Sequence, residues 1–314
     1  MIVPDSHAAS RNCSGWALLF LLLVFCVASP AQAEPVSVTV VQSENSGSYL
    51  EFSTALREIV AGRGNIVSAI DASRPIPNSG LVIAVGMKAA AAVASSNAPA
   101  VLNVLVPKTG YEKLLRDFPQ RANSQAYSAI FLDQPVDRQI NLLAAILPNK
   151  RNIGLLYATP PEELAQIRRE IAGHGFNLRK QVVTPSLPLA EALQELLQDS
   201  EVLLALPDAA VYNGSTIRNI LLATYRSGIP LVGLSPAYVK AGALCAVYST
   251  PAQLALQASE MIQKFSETGA LPAAQYPFEF EVMVNEQVAR SLGLRIKSEA
   301  ALHDEIKADK GSKQ

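Results

Sequence analysis

The sequence predicts an α/β protein built from two halves, each with a parallel sheet. Three observations carry this: short runs too apolar to face water, helical patterns between them, and a second series of the same units further along. The clearest stretch is Glu201–Ser249. Glu201–Leu206 reads as a buried strand ending in Pro207–Asp208. Asn213 or Ser215 can cap the following helix, whose Ile217, Ile220, Leu221 and Tyr225 share a face. Gly228 stops that helix, and Leu231–Leu234 is the next strand. Strand, helix and strand in this order make a crossover, and parallel strands require one.

Taken in order, Val36–Val41 is a first strand and Gln42–Ser48 a polar loop. Tyr49–Val60 is helical, with Phe52, Leu56, Ile59 and Val60 at helical spacing and Gly62 and Gly64 as its stop. Asn65–Ile70, Leu81–Val85 and Pro99–Val106 are strands, with an alanine-rich helix at Met87–Ala94. Lys108–Ser124 is polar and gives no clear period. Tyr127–Leu132 is a strand that crosses between halves, and Val136–Leu147 is a helix. A second series follows: strand Asn152–Tyr157, helix Pro160–Ala172, strand Lys180–Thr184 and helix Leu189–Leu197. After Ser249 come helix Ala252–Phe265, a strand within Tyr276–Asn285 with Phe278, Phe280 and Val282 alternating, and a short helix Glu286–Leu292. Lys297–Gln314 is charged and is expected to fray.

With 314 residues, 49% of them hydrophobic and 17% charged, the chain can fill two cores. A net charge of −1 leaves no electrostatic footprint for nucleic acid. The N-terminus reads as a secretory leader: Arg11, then the apolar core Trp16–Val27, then Ala31-Gln32-Ala33, which fits a small-x-small cleavage pattern. Glu34 would begin the mature chain. Cleavage removes Trp16, Cys13 and Cys26, leaving Cys245 in an apolar strand and no internal disulfide.

In open α/β sheets, ligands bind beyond the carboxyl ends of the strands. The candidates there in the first half are Gln42, Ser43, Glu44, Ser46, Gly86, Met87 and Lys108. Ser43 and Ser46 precede a helix whose free N–H groups could hold an anion or simply be capped. Gly86 permits a turn or a close ligand approach. In the second half they are Tyr157, Thr159, Asp208, Tyr212, Ser235 and Tyr238, aromatic and hydroxyl groups suited to a small organic ligand. Asp208 could pair with a ligand amine or serve as a turn residue. His7, His174 and His303 stand away from strand ends, and no G-x-S-x-G, Walker loop, G-x-G-x-x-G or C-x-x-C occurs. These residues are arranged to bind without chemistry; no metal or cofactor is expected.

Leu132–Tyr157, Ser227–Leu234 (SGIPLVGL), Val239–Ser249 (VKAGALCAVYS) and Phe280–Leu294 (FEVMVNEQVARSLGL) resemble the periplasmic substrate-binding components of ABC transporters, in the uncharacterised transport system group. The resemblance implies two Rossmann-like lobes joined by a three-segment hinge, the type I periplasmic binding protein fold, with a cleft that closes on a ligand. It also implies delivery to an ABC permease in the periplasm. Where relatives often carry an aspartate–proline turn and a glycine-rich segment, this chain has Val106–Phe131 instead. The expected organisation is a signal peptide at 1–33, lobe 1 at 34–132 plus 250–275, lobe 2 at 133–249 plus 276–296, and a flexible charged tail at 297–314, the mature protein being a monomer. The alternatives are a sensory or accessory protein on the same fold, or a periplasmic α/β enzyme using Asp208 as acid or base.

Overall fold

The computed structural model describes residues 1–2, 37–61 and 67–312. The expected leader, with Cys13 and Cys26, lies outside the described residues, as do Gly62 and Gly64. The fold described below is that of the compact body Pro35–Gln314.

Two separate sheets form, as the doubled pattern predicts. The first has five strands: β1 (Val38–Gln42), β2 (Val67–Asp71), β3 (Leu81–Val85), β4 (Ala100–Val106) and β5 (Tyr127–Phe131), in the order β2-β1-β3-β4-β5. All of its pairings are parallel. The second has six: β6 (Asn152–Tyr157), β7 (Asn177–Val182), β8 (Val202–Leu204), β9 (Leu231–Gly233), β10 (Cys245–Tyr248) and β11 (Glu281–Val284), in the order β11-β10-β9-β8-β6-β7. Here β11 alone runs antiparallel to its neighbour. Strands β1, β3 and β4, and edge strand β5, are buried throughout, which explains their apolar runs. Edge strand β7 reads NLRKQV and is largely exposed, its charges blunting an open edge.

The helices are α1 (Gly47–Ala61), α2 (Met87–Ala94), α3 (Lys108–Asp117), α4 (Pro119–Ala122), α5 (Val136–Ile146), α6 (Leu164–Gly173), α7 (Leu189–Gln198), α8 (Ile217–Arg226), α9 (Pro236–Ala241), α10 (Pro251–Thr268), α11 (Glu286–Ser291) and α12 (Glu299–Ser312). One face of the first sheet is covered by Phe52, Leu56 and Val60 of α1 with Leu254, Ala258 and Ile262 of α10. Its other face is covered by α2 and α3, through Ala89, Ala90, Val93, Tyr111 and Leu114. The second sheet shares one core with α5 to α8, α11 and α12. Helix α10 begins where the chain re-enters the first lobe. Thr250 and Gln253 form a reciprocal capping box there, Pro251 fills the first turn, and Gly269 at φ 71° closes the far end.

Several local expectations are corrected. Lys108–Ser124 is not irregular: α3 and α4 occupy most of it, and Arg121 is buried with its guanidinium spent on the carbonyls of Val93, Ala94, Ser96 and Ala98. The charged C-terminal segment is helical rather than frayed, because Leu302 and Ile306 insert into the second core. The strand expected within Tyr276–Asn285 is β11; Phe280 and Val282 are buried as the alternation predicts, but Phe278 lies before the strand and is exposed. The residue at the cap position of α8 is Thr216, not Asn213 or Ser215; the Asn213 side chain instead accepts from Ser215. Tyr225 of α8 faces out, and Thr224 takes the buried place.

Three segments connect the lobes, and their side chains knot together. Gln134, in the first, donates to the Ser249 hydroxyl in the second at 2.9 Å, and Ser249 donates to the Glu279 carbonyl in the third at 2.6 Å. Buried Arg138 donates to Gln134 Oε1 and to the carbonyls of Pro277 and Phe278, and its guanidinium lies 4.4 Å from the Phe280 ring centre. Backbone bonds from Phe131 to Gln275 and from Gln275 to Ala129 extend the junction into the first sheet.

Candidate functional site: the cleft between the lobes

Each sheet has a switch point, where successive strands leave in opposite directions and a crevice opens. In the first lobe it lies between β1 and β3, and it is sealed from within. Gln42 donates to the Ser53 hydroxyl and to the Tyr49 carbonyl. The Ser43 hydroxyl accepts from Ala89 N–H at 3.0 Å and so caps α2, not the helix that follows it in sequence. Tyr49 packs over Gly86; a β-carbon there would lie 2.5 Å from the Tyr49 ring and 2.7 Å from Ser43 Oγ, at a φ of +85°. Glycine at 86 therefore serves close packing by the protein's own tyrosine. Ser46 is exposed, its carbonyl accepting from Leu50, and Met87 packs on Gly110.

The second lobe's switch point lies between β6 and β8, and it opens on a cavity of about 460 Å³. Tyr157, Thr159 and Asp208 line it from the second lobe, Lys108 from the first, and Asp133, Gln134 and Tyr276 from the connecting segments. A second cavity of about 640 Å³ reaches the other side of the connecting segments. Tyr212, Ser235 and Tyr238 line it, opposite Leu105, Pro107 and Leu132. Leu105 has a φ of +56° at a bulge between Val104 and Val106, an uncommon conformation for a leucine, kept where the chain leaves β4 for the cleft. Gly233 lets α9 sit close: a β-carbon there would lie 2.7 Å from that of Tyr238.

The carboxylate of Asp208 is a loop clamp. It accepts from Ala158 N–H at 2.7 Å, Thr159 N–H at 3.4 Å and Ala210 N–H at 2.9 Å, tying the loop after β6 to the loop after β8. Tyr157 is buried in the core with its ring against the cavity, and burial raises its hydroxyl pKa. The Tyr238 hydroxyl donates to the Tyr212 carbonyl at 3.4 Å. Ser235 is the residue before α9.

Across the cleft the lobes touch through charge. Lys108, at the start of α3, pairs with Glu163 before α6 and with Glu112 at 3.3 Å. Tyr276 donates to Glu163 at 3.4 Å, and Arg116 approaches Glu162 at 3.8 Å. Burial alone would lower the Lys108 pKa, but the bond to Glu163 outweighs it and leaves the ammonium firmly charged. Burial likewise pushes Glu163 up, and Lys108 brings it below the usual carboxylate range. Burial takes the Tyr276 hydroxyl up to about 12. Asp133, like Gln134, Glu163 and Tyr276, lines the cavity without having been a candidate from the sequence. It accepts from Lys108 N–H at 2.5 Å, and burial, with Glu163 adding to it, pushes its carboxyl up to about 6. Its signal was its place directly after the crossing strand.

Cys245 is fully buried and its thiol pKa is raised by that burial, so it packs rather than reacts. Among the described residues, no cluster of three His, Cys, Asp or Glu is placed to hold a metal ion, and no helix is long and apolar enough to cross a membrane.

Two lobes, a knotted junction and a lined cleft define a binding fold. Residues 77–305 match the family of ABC transporter substrate binding proteins, and the chain belongs to that family. Among solved structures, it is similar to a conserved domain protein from Vibrio cholerae (20% identity, TM-score 0.59, covering 86% of this chain and 98% of that one). It is also similar to the ABC domain in complex with L-Trp from Streptococcus pneumonia (16% identity, TM-score 0.60, 86% and 98%). A third is the ligand-free, open structure of a substrate binding protein with adhesive properties from Clostridium difficile (17% identity, TM-score 0.62, 84% and 96%). These likenesses establish the type I periplasmic binding protein fold. No curated protein matches the sequence.

Proposed function

We propose that this protein is an exported solute-binding protein that captures a small organic ligand between its lobes and hands it to an ABC permease in the periplasm, acting as a monomer and without chemistry. The observation that carries the reading is the pair of cavities meeting at the junction of three crossing segments, with both lobes contributing to the walls. A ligand contacting both lobes binds the closed arrangement better than the open one, and that difference alone shifts the equilibrium toward closure. The lobe limits are 34–132 plus 250–275 and 133–249 plus 276–296, with the hinge near Phe131, Ser249 and Pro277. Asp208 as an acid or base is disfavoured by its place as a clamp, since the same carboxylate holds the loops after β6 and β8 together through backbone N–H groups. Calorimetry over a metabolite panel, joined to solution scattering with each hit, tests the reading. A hit that makes the particle more compact is expected; a bound ligand with an unchanged particle, or turnover of the ligand, would refute it.

A further inference from the structure

The two cavities share a wall, made of Asp133, Gln134, Gln139, Pro207, Asp208 and Ala209. We infer that this wall receives the ammonium group of a cationic organic amine, whose apolar body lies along the second cavity. The inference rests on the solute-binding reading and specifies the charge of the ligand.

Charge accounting is the first argument. The cations of the first cavity are already matched, Lys108 by Glu112 and Glu163, and Arg116 by Glu162. Arg138 is spent on the junction. Asp133 and Asp208 remain, each oriented by backbone N–H groups and, among the described residues, neither reached by an ion pair. An oriented carboxylate in a narrow cleft makes strong charge-assisted bonds to an N⁺–H donor. Gln139 adds an amide acceptor on the same wall, its own NH2 being held by the Gln134 carbonyl.

The second argument is that the shared wall carries two acids and, among the described residues, no cation. Lys240, which lines the second cavity, is exposed to solvent. A ligand carboxylate would therefore be buried against unpaired acids, whereas an amine without one would not. The third argument is the lining of the second cavity: Leu105, Leu132, Leu234, Val247 and Met283. Leu132 is 46% exposed there, an apolar surface that a ligand body would cover. Tyr212 also lines the second cavity, and its buried hydroxyl lies near the Leu156 backbone.

Titration of Asp133 gives an independent readout. Its carboxyl faces Lys108 of α3, Glu163 before α6 and Tyr276 of the third crossing segment. With its pKa raised to about 6, protonation of Asp133 removes the acceptor charge, so amine affinity falls as pH drops through that value.

Titration calorimetry on the full chain uses phenethylamine as the probe, with phenethyl alcohol, 3-phenylpropionate and phenylalanine as comparators of matching body. Phenethylamine is expected to bind at least tenfold more tightly than each comparator. Asp133→Asn, which keeps an acceptor for Lys108 N–H, is expected to weaken phenethylamine tenfold or more and to abolish the pH dependence near 6. Asp208→Asn is expected to weaken it as well. Tighter binding of phenylalanine or 3-phenylpropionate, equal binding of the alcohol, no binding of phenethylamine, or an unaffected Asp133→Asn would overturn the inference. If a neutral or anionic metabolite then closes the lobes, the solute-binding reading stands and the amine is wrong; if no metabolite of any charge binds, both fail.

Discussion

The two switch points of this molecule are built from the same topology and treated in opposite ways. In the first lobe, Tyr49 fills the crevice over Gly86, and Gln42 and Ser43 are turned inward to Ser53 and Ala89. In the second lobe, Tyr157 and Asp208 border an open cavity. Topology therefore offers a site in both places, and a single tyrosine decides whether the offer is kept. The first lobe still reaches the cleft, but through α3, with Lys108, and through Leu105 and Pro107 at the end of β4 and Leu132 after β5.

The largest expected effect comes from removing what joins the two regions. Arg138→Met leaves the Gln134 amide oxygen and two carbonyls without their donor. Hydrogen bonds to charged groups contribute about 1.5–3 kcal/mol each. A loss of about 3 kcal/mol is expected by denaturant unfolding, because burial has already lowered the guanidinium pKa and offsets part of the gain.

Next is the sealed crevice itself. Gly86→Ala forces a β-carbon against Tyr49 and Ser43 in a conformation that L-residues avoid. Stability should fall by about 2 kcal/mol, while affinity for a ligand identified in the metabolite panel should change less than about twofold, roughly 0.4 kcal/mol by the usual conversion. A large affinity loss with intact folding would show the first switch point to be part of the site.

The cross-cleft clasp should affect shape more than stability. Lys108→Ala removes the bond to Glu163 that spans the lobes. Partly exposed pairs contribute about 0–1 kcal/mol, so unfolding should move little. Solution scattering of the ligand-free protein should show a more open particle, and high salt should imitate the variant by screening.

The smallest effect is a pH slope. Asp133 has a folded pKa of about 6 against an ordinary value of 3.8, so the folded state holds that proton more tightly than the unfolded chain. Its contribution to stability is therefore most favourable below the unfolded value and is lost as pH rises toward 6. Glu163, shifted downward, has the opposite sign: its contribution is present above the unfolded value and fades as pH falls. Unfolding of wild type and Asp133→Asn between pH 4 and 7 separates them. The variant should lose the falling limb, and identical profiles would mean that Asp133 ionises freely.

The architecture was legible because parallel strands buried on both faces write themselves as apolar runs: β3, α2 and β6 fall where the pattern puts them. The site was legible only in part. Lys108, Tyr157, Thr159, Asp208, Tyr212, Ser235 and Tyr238 line the two cavities. Gln42, Ser43 and Gly86 sit at strand ends as expected, yet their neighbours across the chain, Ser53, Ala89 and Tyr49, have taken their bonding capacity. No local signal reports that, because the partners come from other elements. Helix α3 escaped notice because its buried face amounts to Tyr111 and Leu114. The terminal helix escaped because Leu302 and Ile306 are too few to outweigh its charges in a linear reading.

A crystal structure with a captured ligand would test the central claim most directly. Density against the Asp133–Asp208 wall, with the lobes drawn together about the Gln134–Ser249–Glu279 junction, is the expected result. Density seated at Ser43 and Gly86 with Tyr49 displaced, or a ligand held by one lobe while the other stays where it is, would contradict it.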